Sequence, residues 1–208
     1  MGQILLASAS PRRKELLEQI GLSFEICPAK GEEKINSTRP EKVVKELSKQ
    51  KACEVASMVK SYGKEHEELV SPQDILVIGA DTVVAAEGKI LGKPSDEEDA
   101  CRMLSMLAGG VHEVYTGVTL VFLSEDGRVG EHTFAECTKV TMRQMSEEEI
   151  RRYIATGEPM DKAGAYGIQG KCAIYIDKID GDYNNVVGLP VAAIYRECKA
   201  LGIDLYLW

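Results

Sequence analysis

The chain has no cysteines at metal-site spacing. Its six, Cys27, Cys53, Cys101, Cys137, Cys172 and Cys198, are scattered through 208 residues with no C-x-x-C and no nearby histidine pair. That argues against the common zinc modules, and a chain of this length does not need a disulfide framework. No apolar run approaches the roughly 20 residues that span a bilayer. The run Ile4 to Ala7 is too short for a secretory segment and leads into Pro11-Arg12-Arg13. Cations are the minority, with 25 Lys plus Arg against 33 Asp plus Glu and a formal net charge of -8. A general nucleic-acid coat needs the opposite balance. The expectation is a soluble, reduced, cytoplasmic protein with no nucleic-acid or membrane partner, in which any polyanionic ligand must meet a local basic cluster.

Several catalytic signatures are missing too. There is no G-x-G-x-x-G and no G-x-S-x-G, which leaves dinucleotide dehydrogenases and serine hydrolases without support. Leu91-Gly92-Lys93-Pro94 fails as a Walker A loop, because Gly88 is one residue too close and Pro94 fills the Ser/Thr slot. His66, His112 and His132 have neither metal spacing nor a nucleophile to serve, and read as structural or exposed.

What is present is an ordinary globular composition, 44 % hydrophobic and 28 % charged, with length enough for a sizeable core. The pattern predicts a strand at Gln3 to Ala7, a helix from Pro11 capped by Ser10 and stopped at Gly21, and a strand at Phe24 to Cys27. A long amphipathic helix follows from Pro40 to about Lys60, then a surface loop from Ser61 to Gln73. Asp74 to Ala80 reads as a buried strand that ends at Asp81-Thr82, and Val83 to Leu91 as a hairpin through Glu87-Gly88. Beyond it come a helix over Ser95 to Leu107, strands over Val114 to Leu123 and Arg128 to Met142, and a helix opened by the capping box Ser146 to Glu149. A glycine-dense loop (Glu158 to Gly170), a strand (Ala173 to Ile176) and a loop from Gly181 to Pro190 into a last helix complete the chain. The interleaving gives an α/β class. No repeat or linker divides the chain, so residues 1–208 read as one domain.

Three segments carry chemistry. In Ser8-Ala9-Ser10-Pro11-Arg12-Arg13-Lys14 a strand-to-helix turn gathers unpaired N–H groups, two hydroxyls and three cations, an arrangement suited to phosphate. A serine cap followed by a solvated basic helix face explains the same residues equally well. In Gly79-Ala80-Asp81-Thr82 an aspartate at a strand's end can ligate a divalent ion or accept a proton from water; taken alone, a turn aspartate is the simpler explanation. Glu32, Glu33 and Asp161 are further candidate carboxylates, and Lys93 a candidate phosphate cation. Gly164-Ala165-Tyr166-Gly167-Ile168-Gln169-Gly170 lets backbone approach a ligand closely, and Gln169 offers both a donor and an acceptor to a base edge.

In this order and at these separations, the segments resemble the Maf family of nucleoside triphosphate pyrophosphatases. The matching pieces are LASASPRRKELL (6 to 17), GEEKIN (31 to 36), LSKQKA (47 to 52), IGADTVV (78 to 84), LGKP (91 to 94), EPMDKAGAYGIQG (158 to 170) and GDYNNVVGLP (181 to 190). The resemblance implies an elongated mixed sheet with two lobes around a central cleft, similar to inosine triphosphate pyrophosphatases. It implies hydrolysis of the α–β phosphoanhydride of a nucleoside triphosphate with a divalent metal, Mg²⁺ with Mn²⁺ as the alternative, and a homodimer. It places the catalytic aspartate at Asp81, phosphate contacts at Ser8, Ser10, Arg13, Lys51 and Lys93, cleft residues at Asp161 and Lys162, and metal carboxylates at Glu32 and Asp81. Arg12, Thr82 and Gln169 match the branch acting on dTTP and UTP, a nucleotide-pool housekeeping activity. Two alternatives stay open: a 7-methyl-GTP or other modified-nucleotide pyrophosphatase, whose branch tends to carry tryptophan where Arg12 stands, and a non-catalytic nucleotide-binding regulator of cell division, which the joint presence of Asp81, Glu32 and Lys93 disfavours. The one departure from the family pattern is the length of Ser61 to Gln73.

Overall fold

The computed structural model describes residues 2–65 and 74–207. His66 and residues 67–73 of the expected surface loop lie outside that description. Among the described residues the elements run β1 (Gln3–Leu6), α1 (Pro11–Gln19), β2 (Glu25–Ile26), α2 (Pro40–Glu65), β3 (Ile75–Ala86), β4 (Lys89–Leu91), α3 (Glu97–Leu107), β5 (Val111–Leu123), β6 (Val129–Met142) and α4 (Glu147–Ile154). Short 3₁₀ turns at Glu158–Asp161, Ala163–Ala165 and Lys171–Tyr175 precede β7 (Ile176–Asp180), α5 (Tyr183–Val187) and α6 (Val191–Ala200). The class is mixed α/β, as the alternating pattern implied.

One mixed sheet carries the molecule, in the order β2-β1-β3-β5-β6-β7, with β4 also paired to β3. β1 runs parallel to β2 and β3, and the other pairs are antiparallel. Side chains alternate across the sheet. Ile4, Leu6, Leu76, Ile78 and Ala80 bury one face against Leu16 and Leu17 of α1 and Ile194 of α6. Leu5, Ala7, Ile75 and Val77 bury the other against Ala52, Val55 and Ala56 of α2. A second body of core packs α3, α4 and the 3₁₀ turns on the far end of the long strands, through Val84, Leu104, Val140, Met142, Ile150 and Tyr166. Ile168 packs against both this body and the α1 face. The two lobes therefore share their sheet and meet at the middle of β3.

That middle is where the sheet is incomplete. β3 pairs β5 along its length, from Ile75↔Leu123 to Ala85↔Glu113. On its other edge β1 covers only Ile75 to Ile78, and β4 covers only Val84 to Ala86. Residues 79 to 83 face an open notch. The sequence suggested that the strand ends at Ala80; instead it runs on through Asp81 and Thr82, because Gly117 and Thr116 of β5 continue the ladder opposite them and Thr82-Val83-Val84 suits a strand. The expected hairpin is present, and Glu87 (φ 49°) with Gly88 (φ 73°) gives it the two left-handed residues a type I′ turn needs.

α2 crosses the sheet directly over two glycines. A Cβ built on Gly79 would lie 2.5 Å from the Ser48 carbonyl oxygen, and one on Gly117 would overlap the Val44 carbonyl. Helix backbone thus rests on strand backbone, on the same sheet face as Asp81. The helix extends to Glu65, five residues beyond the expected end at Lys60, since no proline interrupts it before Pro72.

Two further expectations need correction. Ala173 to Ile176 is not a strand: Lys171–Tyr175 turns as 3₁₀ and buries Cys172, and only from Ile176 does the chain pair with β6. A four-residue apolar run does not by itself separate strand from helix. The expected loop Gly181 to Pro190 contains a helical turn, α5, capped by Asp182, whose carboxylate accepts from the Asn184 N–H at 2.8 Å. The capping box at Ser146 and Glu149 is formed as the sequence indicated. Among the described residues no helix is long and apolar enough to cross a membrane.

Two outcomes follow for stability. Gly117→Ala should lower the unfolding free energy by about 1–3 kcal/mol through overpacking, whereas Gly92→Ala, with nothing within 4 Å of the new methyl, should match the parent. Equal urea midpoints for the two variants would rule out backbone contact as the constraint. His112, 2 % exposed, shares a 2.7 Å hydrogen bond with the Tyr166 hydroxyl, and burial pushes its pKa down to about 4. The unfolded chain then binds a proton near pH 6.5 that the folded chain refuses. Stability should fall by on the order of 3 kcal/mol between pH 6.5 and 4 from this group. A His112→Gln variant should lack that part of the acid sensitivity, and an unchanged pH slope would count against it.

Candidate active site

The notch beside β3 opens into a cavity of about 1240 Å³. Its lining comes from both lobes: the β1–α1 turn, Lys51 of α2, residues 81–84 of β3, the β4 region at Gly92 and Lys93, and the loop from Glu158 to Gly170. Ser8, Ser10, Arg12, Arg13, Lys51, Asp81, Thr82, Lys93, Asp161, Lys162 and Gln169 all line it. Residues spread over 160 positions of sequence are brought to one cleft.

At its centre Lys51 Nζ lies 2.5 Å from Asp81 Oδ1 and 3.0 Å from Glu33 Oε1. Lys51 immediately precedes Ala52, which packs on Gly79, so the close helix–sheet contact sets the ammonium above Asp81. The side chains of Lys51 and Asp81 are 18 % and 14 % exposed. The pair is therefore shielded yet reachable from the cleft, and Asp81 is neither sealed in apolar packing nor turned to the far surface. Glu33 lines the cavity while the adjacent Glu32 does not. Of the two glutamates after β2, both exposed, Glu33 is the one that reaches Lys51.

Glu33 is held there by side chains that sequence reasoning passed over. Residues 30 to 36 lie along α2, and three α2 residues one turn apart take their backbone N–H groups. Glu54 accepts from Lys30 and Gly31, Gln50 Oε1 from Lys34 at 2.9 Å, and Glu46 from Asn36 at 2.9 Å. Gln50 also donates to the Lys34 carbonyl at 2.6 Å. The spacing 46, 50, 54 is visible in the sequence as a polar helical stripe, but nothing local says that the stripe faces another segment.

On the opposite sheet face the β1–α1 turn supplies a second cation. Ser10 occupies the N-cap position of α1 without a side-chain capping bond, and its N–H donates to Ser8 Oγ at 3.2 Å. Arg13 donates from Nε to the Gly188 carbonyl at 2.8 Å, from Nη1 to Ser8 Oγ at 3.0 Å and from Nη2 to Thr82 Oγ1 at 3.1 Å. Burial lowers the guanidinium's pKa, and the negative charge of Asp81 opposes that shift. Three of five N–H donors are committed, which leaves two for a ligand.

The far wall is organised by Asp161 and Glu158. Arg12 reaches across the cleft to Asp161, Nη1 to Oδ2 at 2.9 Å, and Lys162 Nζ meets Asp161 Oδ1 at 2.7 Å. Burial works against the ionised Asp161 carboxyl, but hydrogen bonds from Lys162 and Arg12 outweigh it and hold the pKa at about 2. Glu158, absent from the expected set, accepts from the Tyr153 hydroxyl at 2.9 Å and from the Lys171 N–H at 3.0 Å, and so fixes the glycine-rich loop on α4. Lys93 and Gln169 are exposed at the rim. Cations gathered from several elements can bind a polyanion here, and a carboxylate among them can take a proton from a water bound beside it.

The profile of the Maf-like protein family matches residues 3–201. A dTTP/UTP pyrophosphatase from Agathobacter rectalis is 67 % identical over 205 residues, covering 99 % of this chain and 100 % of the relative. Proteins of the same description from Lachnoclostridium phytofermentans and Carboxydothermus hydrogenoformans are 49 % and 50 % identical, over 99 % and 96 % of this chain and 98 % and 99 % of theirs. Among solved structures, a nucleoside-triphosphatase (dITP/XTP pyrophosphatase) from Mycobacterium abscessus covers 96 % of both chains at 14 % identity and a TM-score of 0.35, a likeness too loose to carry weight. A match spanning nearly every element around the cleft, joined to relatives sharing half to two thirds of their residues, makes this chain a member of the Maf family.

Proposed function

We propose that the chain hydrolyses dTTP and UTP to the nucleoside monophosphate and pyrophosphate. The observation that carries this reading is Asp81, held by Lys51 at the notch between β1 and β4 and flanked by the Arg13–Ser8 cradle. The relatives named dTTP/UTP pyrophosphatases, up to 67 % identical along nearly the whole chain, support the substrate. So do Arg12, Thr82 and Gln169, which line the same cleft.

In this reading Arg13, Ser8, Ser10 and Lys93 bind the triphosphate, with Lys162 and Asp161 closing the far wall. Lys51 occupies Asp81 Oδ1, so Oδ2 is the atom that takes the proton. Water attacks the α-phosphorus, the bond from that phosphorus to the α–β bridging oxygen breaks, and pyrophosphate leaves in line. Asp81 orients the water by the hydrogen bond it accepts, and the fixed cations meet charge as it moves toward the leaving oxygen without reorganising.

The donor set suits a divalent metal. Asp81 and Glu33 already converge on one cation, the Lys51 ammonium. Magnesium takes one or two carboxylates and completes its shell with phosphate oxygens and water. Asp81 and Glu33 would hold the ion, with Glu32 the adjacent residue in the chain. When bound, Mg²⁺ or Mn²⁺ neutralises charge on the triphosphate and its leaving group.

Pyrophosphate release tests the assignment. Asp81→Asn should lose about 10²–10⁴-fold in turnover, the range for a positioned base, with an unchanged unfolding midpoint; turnover near the parent's would remove Asp81 from the role. For the substrate, the parent should cleave dTTP and UTP well ahead of CTP and GTP, and Gln169→Ala should narrow that preference by about 1–3 kcal/mol once a base covers the amide. Equal cleavage of all four nucleotides by the parent would refute the pyrimidine reading.

A further inference from the structure

Behind Thr82 the structure contains a hydrogen-bond chain whose direction is fixed by chemistry at both ends. Arg13 Nη2 lies 3.1 Å from Thr82 Oγ1, Thr82 Oγ1 lies 2.9 Å from Thr116 Oγ1, and Thr116 Oγ1 lies 2.9 Å from the Asn185 carbonyl oxygen. A guanidinium only donates and a carbonyl only accepts. Thr116 must therefore spend its single hydroxyl proton on Asn185. Thr82 must spend its own on Thr116 and accept from Arg13. Every hydroxyl proton in the chain is assigned.

The carbonyl end is rigid. Thr116 and Asn185 are both 0 % exposed, and the Asn185 side chain donates to the Val114 carbonyl at 3.0 Å and to Thr138 Oγ1 at 2.9 Å. Thr82 stands where this interior chain reaches the cavity, across the β3–β5 ladder from Thr116. Its proton points inward, so what it can offer a ligand is its remaining lone pair. Thr82 presents an acceptor and no donor.

We propose that Thr116 is a specificity-determining residue, acting as a positioning group that holds the Thr82 hydroxyl as an acceptor-only contact for the nucleobase. The proposal rests on the reading above, in which Thr82 faces the base of dTTP or UTP. Uracil and thymine carry an N3–H donor that such an acceptor satisfies. Cytosine carries a bare N3 lone pair at the same place, which would face the Thr82 lone pair with no proton between them. A site built to satisfy a polar group rejects the analogue that lacks it more strongly than an apolar pocket can. Thymine's methyl group, on C5, lies off the edge that presents N3–H, so the device treats dTTP and UTP alike.

The test is the ratio of kcat/KM for UTP to that for CTP, measured by pyrophosphate release in the parent, Thr116→Val and Thr116→Ser, with thermal unfolding followed for each. Valine keeps the shape of threonine and removes the group that takes the Thr82 proton, which frees Thr82 to donate to cytosine. The ratio should fall by roughly tenfold or more in Thr116→Val and stay near the parent value in Thr116→Ser. A discriminating parent whose preference survives Thr116→Val overturns the proposal. So does an equal loss on both nucleotides, since that is what a purely structural prop for Arg13 would give. A parent that does not distinguish UTP from CTP instead overturns the dTTP/UTP reading beneath it. Should Thr116→Val fail to fold, Thr116→Ala decides by the same ratio.

Discussion

The site depends on helix backbone lying against sheet backbone. Gly79 and Gly117 have no side chains, and this allows α2 to approach β3 and β5 closely enough for Lys51 to reach Asp81. A shielded aspartate and lysine pay a desolvation cost that only close geometry offsets. A modest displacement of α2 would loosen the Lys51 contacts to both Asp81 and Glu33 and shift the segment stapled along the helix by Glu46, Gln50 and Glu54. One packing contact thus sets both carboxylates of the cluster.

The notch in the sheet is the second constraint, and it explains why two faces of one strand serve one cleft. Asp81 points toward α2 and Thr82 toward α1, as neighbours on a strand must. In a complete sheet those side chains would serve separate surfaces. Because β1 ends at Leu6, opposite Ile78, and β4 begins pairing only at Val84, the edge of β3 lies open between them, and the Lys51 side and the Arg13 side meet there. The far lobe closes the arrangement through Arg12 and Asp161 and through Glu158, which anchors the glycine-rich loop.

Polar groups inside the protein are arranged as directed networks. The Arg13–Thr82–Thr116–Asn185 chain crosses two strands and ends on α5, and the Ser48–Thr119–Thr133 hydroxyls run alongside on the other face. Buried hydroxyls of this kind cost stability when unpaired. Here their pairing also decides which way a cleft-facing oxygen carries its proton.

Much of this was legible in the chain itself. Composition and missing motifs directed attention to a local basic cluster; Ser10-Pro11, the Glu87-Gly88 turn and the Ser146 capping box stand where local propensity puts them; and the segment matches assembled residues that line the cleft. Those features are short-range, set by backbone preferences and by residue types a few positions apart. What only the tertiary structure decided is long-range. β3 continues through Asp81 because β5 pairs with it there; Glu33 rather than Glu32 meets Lys51 because α2 grips the flanking backbone; Cys172 turns inward as 3₁₀ because the second lobe buries it. Thr116 had no local signal, and Asn185 and Glu158, though inside matched segments, carried no sign of their roles, since a threonine in a strand, an asparagine near a turn and a glutamate in a loop look the same whether a partner waits 5 or 69 residues away. Sequence fixes what each residue can donate, accept or bury, and folding alone determines which groups become neighbours.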